Sequence, residues 1–257
     1  HHNLKPPMRI AVLSDIHGNL PALQAVLSDM ARRGVDRVIN CGDILSGPLW
    51  PRETGDELMA LAWPTIAGNH ERQLLACARR PGGPSDQYAF DHSTSSQRDW
   101  LAALPATLEP TPGVFVCHGQ PVDDREYLLE TVDPDGSRPA TGAEVLQRLD
   151  DTAGAGASLL LCGHSHLPRV VQVGGTLCVN PGSVGLPAYD DEHIAFHVHQ
   201  TGSPHARYAV CERVDTGAGP GWTVAQIAVA YDWHAASAQA ARNGAHDWAR
   251  WLATGRA

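Results

Sequence analysis

Ile10-Ala11-Val12-Leu13-Ser14-Asp15-Ile16-His17-Gly18-Asn19 decides how the rest of the chain is read. Its first four residues are apolar and uncharged, as in a buried strand of a parallel sheet covered on both faces. The run stops in Asp-x-His-Gly-Asn, and helical spacing follows at Leu20, Leu23, Val26, Leu27 and Met30, closed by Gly34. On an extended chain Asp15 and His17, two apart, project to one side. A carboxylate and an imidazole then stand together off a strand end, where open α/β sheets hold their ligands.

The same pattern recurs along the chain. Short apolar runs end in Gly42-Asp43, Gly68-Asn69-His70-Glu71, Cys117-His118-Gly119 and Gly163-His164-Ser165-His166. The patterns predict strands over 35–41, 64–67, 114–117 and 158–162, with helices over 51–61 and 86–104, a βαβαβ rhythm of parallel strands and crossover helices. Arg79 to Ser85, rich in Gly and Pro, reads as a loop. Residues 120–156 carry a turn at 133–136 and a helix over 142–149. Following His118 directly, they are either a substrate loop or lid, or a plain surface insertion. Shorter strands over 169–173, 176–179, 193–199 and 206–211 look antiparallel, and alanine-rich segments over 224–241 and 247–253 look helical.

Composition narrows the classes. Of 257 residues, 43% are hydrophobic and 18% charged, the balance of an ordinary globular protein. A formal charge of −9 without a basic tract argues against stable nucleic-acid binding. No apolar run reaches membrane-spanning length. Six scattered cysteines without a C-x-x-C pair read as reduced, and point to the cytoplasm. His1 to Pro7 reads as an expression-tag remnant, with residues 8–257 forming one domain. Nothing in the pattern fixes the oligomeric state.

The polar residues at strand ends are Asp15, His17, Asp43, Asn69, His118, His164 and His166. They are too many for one tetrahedral site and suit two adjacent divalent ions with a bridging carboxylate. Mixed nitrogen and oxygen donors without thiolate suit manganese, iron, zinc, nickel or cobalt. Two ions roughly 3.5–4 Å apart can hold a hydroxide and clamp the oxygens of an in-line phosphoryl displacement.

Asp-x-His, Gly-Asp, Gly-Asn-His-Glu, His-Gly and Gly-His-x-His, in this order from Asp15 to His166, resemble the five blocks of the calcineurin-like metallophosphoesterase superfamily. Asn180-Pro181-Gly182-Ser183-Val184-Gly185 is similar to a segment of its small bacterial members. The resemblance implies a four-layer α/β/β/α sandwich with two mixed sheets. It also implies an enzyme that hydrolyses phosphate esters, small or nucleotide, with a metal-bridging hydroxide. Asp15, His17 and His166 would bind one ion, Asn69, His118 and His164 the other, and Asp43 both, with manganese the first choice. His70 would face the substrate, and His70 with Asp43 would carry catalysis.

The chain departs from the Gly-Asp-x-x-Asp-Arg-Gly of phosphoprotein phosphatases, reading Gly42-Asp43-Ile44-Leu45-Ser46-Gly47-Pro48. Ser46 stands where an aspartate would orient His70, and the phosphate-gripping arginine is missing. This points to the small phosphodiesterases and phosphatases. A phosphoprotein phosphatase is the alternative, and a non-catalytic protein-binding scaffold of the same fold is the reading outside enzymes.

Other polar residues have plainer readings. Glu71 suits a helix start, and Ser183 lacks a histidine base in its own motif. His193, His197 and His199 share one strand face opposite Ile194, Phe196 and Val198, so the histidines are expected in solvent. His234 and His246 read as surface and packing.

Overall fold

The computed structural model describes residues 8–257 and is a mixed α/β fold with two large mixed sheets. In the first sheet β1 (Arg9–Leu13) lies parallel to β2 (Arg37–Asn40) and antiparallel to β12 (Ala206–Asp215). Along its other edge β12 pairs with β13 (Pro220–Val229). In the second, β4 (Val114–Cys117), β7 (Leu159–Leu161) and β9 (Thr176–Pro181) run parallel. Antiparallel edge strands β3 (Thr107–Thr111) and β8 (Pro168–Val173) flank them.

Alternation along β1 explains how the sheets stack. Ile10 and Val12 join Ile39, Val116, Leu161 and Val179 in a core between the sheets. Ala11 and Leu13 face the opposite way, against Leu23, Val26 and Met30 of α1 (Leu20–Ala31), Leu58 of α2 (Pro51–Leu61) and Leu74 of α3 (Asn69–Ala76). Both faces of the strand are buried from Ile10 onward, which is why it carries no polar residue between Arg9 and Ser14. A third core lies behind the second sheet. There Phe115 and Leu160 meet Val145 and Leu149 of α6 (Gly142–Leu149). A fourth joins α7 (Trp233–Arg242) and α8 (His246–Thr254) to Leu49, Leu186 and Ala188, the last opening β10 (Ala188–Asp191).

Segment 120–156 is not a plain surface insertion. Its hairpin, β5 (Glu130–Asp133) and β6 (Gly136–Pro139), turns where expected, and Leu128, Leu129, Ala140, Val145 and Leu149 close the outer face of the second sheet.

Four elements differ from expectation. Residues 64–67 form only a bridge, Thr65 to Asn40, held by Pro64 O and Ile66 N–H before Gly68 turns the chain. The helix over 86–104 is broken into α4 (Pro84–His92) and α5 (Ser95–Ala102), because Thr94 caps α5 in a box with Gln97. Residues 224–229 are strand, not helix. Trp222 and Val224 face the inter-sheet core and Ile227 and Val229 the helical side, so period-two alternation overrides the alanine content. The strand expected over 193–199 is shorter, β11 (His197–Gln200), and its exposed face is the apolar one: Ile194 and Phe196 are each 61% exposed, whereas His197 and His199 are buried.

Candidate metal centre

Every expected site residue lies just past a strand's carboxyl end or at the start of α3. The loops are zipped together by their backbones: Asp15 N–H donates to Gly42 O (2.9 Å), His17 N–H to Asp43 O (3.1 Å), and Gly163 N–H to His118 O (2.8 Å). Ser183 buttresses the first loop, donating from Oγ to Asp15 O (2.7 Å) while accepting from Leu186 N–H.

Asp15 and His17 converge for a reason other than strand pleating. β1 ends at Leu13, and Asp15, His17, Asp43, His164 and His166 all adopt left-handed backbone, with φ of 55°, 52°, 58°, 69° and 59°. That region is costly for residues with a Cβ, and such strain gathers at functional sites. The loops also approach very closely: a Cβ on Gly68 would collide with Asp43 Oδ1, and Gly42, at φ 95°, sits back to back with Gly68 N.

Two clusters result. Asp15, His17 and His166 form one and Asp43, His118 and His164 the other, with the ligand atoms of each within 4.8 Å of one another. The tautomers are set from outside. His17 Nδ1–H donates to Ser46 O (2.7 Å), His166 Nδ1–H to Leu186 O (2.8 Å) and His118 Nδ1–H to Cys41 O (2.7 Å). Each therefore turns Nε2 inward, whereas His164 spends Nε2–H on Arg125 O (2.9 Å) and turns Nδ1 inward. His17 Nε2 and His166 Nε2 stand 3.2 Å apart, and His166 Nε2 is 3.2 Å from Asp15 Oδ1. Asp15 Oδ1, Asn69 Oδ1 and His118 Nε2 are buried without a hydrogen-bond partner. Buried acceptors facing one another repel unless a cation lies among them, so the donor set fits divalent metal.

Electrostatics agree. Burial would raise the Asp15 carboxyl, but His166 and His118 outweigh it and hold it at about 2. Burial, then His166, lowers His17 to about 4, and burial, then His118, lowers His164 to about 3, so both offer neutral nitrogen. Burial opposes charge on His118 too, but Asp43, with Oδ2 at 3.0 Å, pushes it up to about 10. A bound cation would take over the part of that proton.

Around this floor lies a cleft of about 380 Å³, bordered by His70, Gln73, Arg125, Tyr189, Trp248 and Trp251. His70 N–H donates to Asp43 Oδ1 (3.0 Å), and its Nδ1 lies 2.8 Å from Asp86 Oδ1 and 3.2 Å from Ser46 Oγ. Burial opposes charge on the ring, yet Asp43 and Asp86 raise it to about 9. Glu71, read as a helix-start residue, does more. Its buried carboxylate accepts from the N–H groups of Asp43 (2.8 Å), Ile44 (2.7 Å) and Gly68 (2.7 Å).

Behind the His164–His166 loop, Tyr189 OH contacts His164 O (3.1 Å), His199 Nδ1 (2.9 Å) and Tyr127 OH (2.8 Å). Tyr127 OH reaches His197 Nε2 (2.8 Å), and Ser137 Oγ reaches His199 Nε2 (2.7 Å). Two of the three histidines expected in solvent, His197 and His199, are thus the polar filling between the 120–156 segment and the β10–β11 hairpin. Sequence reasoning also missed Asp86 and Arg125. An acidic residue in a helix's first turn and an arginine in a loop carry no signal of their own.

The comparisons with known proteins point one way. Residues 8–202 match the model of the calcineurin-like phosphoesterase superfamily domain. The chain is 28% identical over 190 residues to the phosphodiesterase YfcE of Escherichia coli, covering 70% of this chain and 81% of that one. It is 29% identical over 203 residues to MJ0912 of Methanocaldococcus jannaschii, covering 69% and 76%. A metallophosphoesterase crystal structure from Sphaerobacter thermophilus superposes with a TM-score of 0.71 at 26% identity, over 97% of this chain and 99% of that one. The chain belongs to the calcineurin-like phosphoesterase superfamily and is a metal-dependent hydrolase of phosphoric esters.

Proposed function

We propose that this protein hydrolyses small or nucleotide phosphate esters at a centre of two divalent ions, with manganese the first candidate. The observation that carries this reading is the inward convergence of buried nitrogen and oxygen donor atoms in two adjoining clusters. Asp15, His17 and His166 would hold one ion, Asn69, His118 and His164 the other, and Asp43 would serve both. Bound there, the ions would supply a nucleophilic hydroxide and positive charge for the phosphoryl oxygens.

The chain's own residues do the rest. Asp43 stays ionised because His118 and His70 more than offset its burial. His70 is charged at neutral pH and borders the cleft, where its free Nε2 can donate to the departing ester oxygen. Arg125 is exposed at the mouth and, among the described residues, has no carboxylate within ion-pair distance. Held by Nη2 to His193 Nδ1 (3.2 Å) and bordering the cleft, it can meet a phosphate, the part of the arginine missing after Asp43. Trp248 sets its indole edge-on to the His17 ring at 5.8 Å, giving the cleft an aromatic wall suited to an aryl or nucleoside group. Six free cysteines, five of them buried, support a reducing, cytoplasmic setting. Among the described residues no helix is long and apolar enough to cross a membrane.

The test is hydrolysis of p-nitrophenyl phosphate and bis-p-nitrophenyl phosphate after chelation and return of manganese. Activity should need the metal, vanish in Asp43→Asn, and fall in His70→Ala with metal retained. Turnover by metal-free protein would overturn the reading.

A further inference from the structure

The carboxylate that the motif lacks at Ser46 is present in space, delivered from another helix. Asp86 lies in the first turn of α4, 40 residues beyond Ser46. One of its oxygens, Oδ1, takes both contacts: His70 Nδ1 at 2.8 Å and the Ser46 hydroxyl, which donates to it, at 2.7 Å. Gly47 N–H, donating to Ser85 O at 3.2 Å, ties the two segments together beside that contact.

Asp86 is 6% exposed, and among the described residues its only ion-pair partner is His70. A buried carboxylate without arginine or lysine is expensive unless its few contacts matter. It is also not serving α4. An acidic side chain in a first turn ordinarily caps backbone N–H groups, yet the side-chain contacts of Asp86 go to His70 and Ser46. The His70 ring is thereby fixed at both ends: its main chain by Asp43 and its Nδ1–H by Asp86. Its edge-on packing against His17, with centroids 5.5 Å apart, closes off rotation. Nε2 is the nitrogen left for the cleft.

We propose that Asp86 is the positioning residue of His70, holding its Nδ1–H and aiming the Nε2–H of the charged ring at the departing oxygen, with Ser46 as the bridge to the metal loop. The inference rests on the reading of His70 given above. Asp86 does not itself touch substrate.

Two measurements test it. The first compares phenyl phosphate, whose poor leaving group needs a proton, with p-nitrophenyl phosphate, whose leaving group does not. Asp86→Asn, nearly isosteric, should lower kcat about 10–100-fold on the first and less than about threefold on the second, with KM unmoved. The double variant Ser46→Asp/Asp86→Ser, which moves the carboxylate into the motif position, should recover most of the loss. The second reads the tautomer of the neutral ring directly, by long-range proton–nitrogen NMR on metal-free protein made alkaline enough to remove the ring's second proton. His70 should be Nδ1–H in the parent and shift toward Nε2–H in Asp86→Asn. Equal losses on both esters, or an unchanged His70 tautomer, would overturn the proposal. If His70→Ala shows no preference between the esters, the reading of His70 fails instead. The tautomer, measured without metal or substrate, still decides what Asp86 does.

Discussion

Removing the Glu71 side chain should cost this fold more than any surface carboxylate could, and the structure sets the size. Glu71 is 1% exposed and satisfies three N–H donors, of Asp43, Ile44 and Gly68. Each buried donor left without a partner costs about 1–3 kcal/mol, so Glu71→Ala should cost roughly 3–9 kcal/mol, toward the lower value if water enters. A domain's whole stability is about 5–15 kcal/mol, so much of the alanine variant should be unfolded at 37 °C. Glu71→Gln discriminates further. Oε2 receives both Asp43 N–H and Gly68 N–H, so an amide oxygen there keeps two bonds, while the amide NH₂ faces Ile44 N–H. The expected loss is about 1–3 kcal/mol, between parent and alanine. Urea unfolding with linear extrapolation measures all three, provided the slope is unchanged. A loss below about 1 kcal/mol for Glu71→Ala would refute the idea that this carboxylate pins the Asp43 loop.

Other outcomes follow from the same geometry. His199 is buried, and burial, then His197, lowers it to about 3, so the unfolded chain takes its proton first. Its contribution is complete above about pH 6.5 and is lost as pH falls toward 3, at about 1.4 kcal/mol per pH unit below pH 6. In metal-free protein, His199→Gln should flatten that slope in midpoints measured from pH 4 to 7. Arg125→Ala should raise KM for anionic esters several-fold with little change in kcat, since a rim charge binds ground and transition states alike. Because His118 is pushed up to about 10, manganese uptake at pH 7 should release close to one proton from it. Calorimetry in buffers of different ionisation enthalpy would show this, and equal heats in all buffers would contradict it.

The fold and the site were legible in the sequence to different depths. Strands buried on both faces announce themselves as unbroken apolar runs, so β1, β4 and β7 could be read, and with them the loops they deliver. β13 is a half-buried edge strand with Ala225 and Ala228 between its core-facing residues, and there alanine misleads toward helix. The face of β11 was misjudged because buried histidines were weighed without their hydroxyl partners, Tyr127, Tyr189 and Ser137, which lie 10 to 70 residues away. The clustering of ligands was foreseen from strand pleating, but left-handed loop backbone produces it, which no propensity shows. The parts played by Asp86 and Glu71, the latter read only as a helix start, were not legible because each depends on a partner in another segment, and an isolated acidic residue does not reveal its partner.

In the function proposed above, two clusters of inward-facing donors hold two ions and hydrolysis depends on them. Metal per chain, measured by mass spectrometry after chelation and dialysis against manganese, tests it most directly, with Asp43→Asn alongside. Two ions per parent chain are expected, with weakened binding at both sites in Asp43→Asn and ester hydrolysis that tracks occupancy. A parent chain that takes up none, or one that hydrolyses esters while empty, would contradict it.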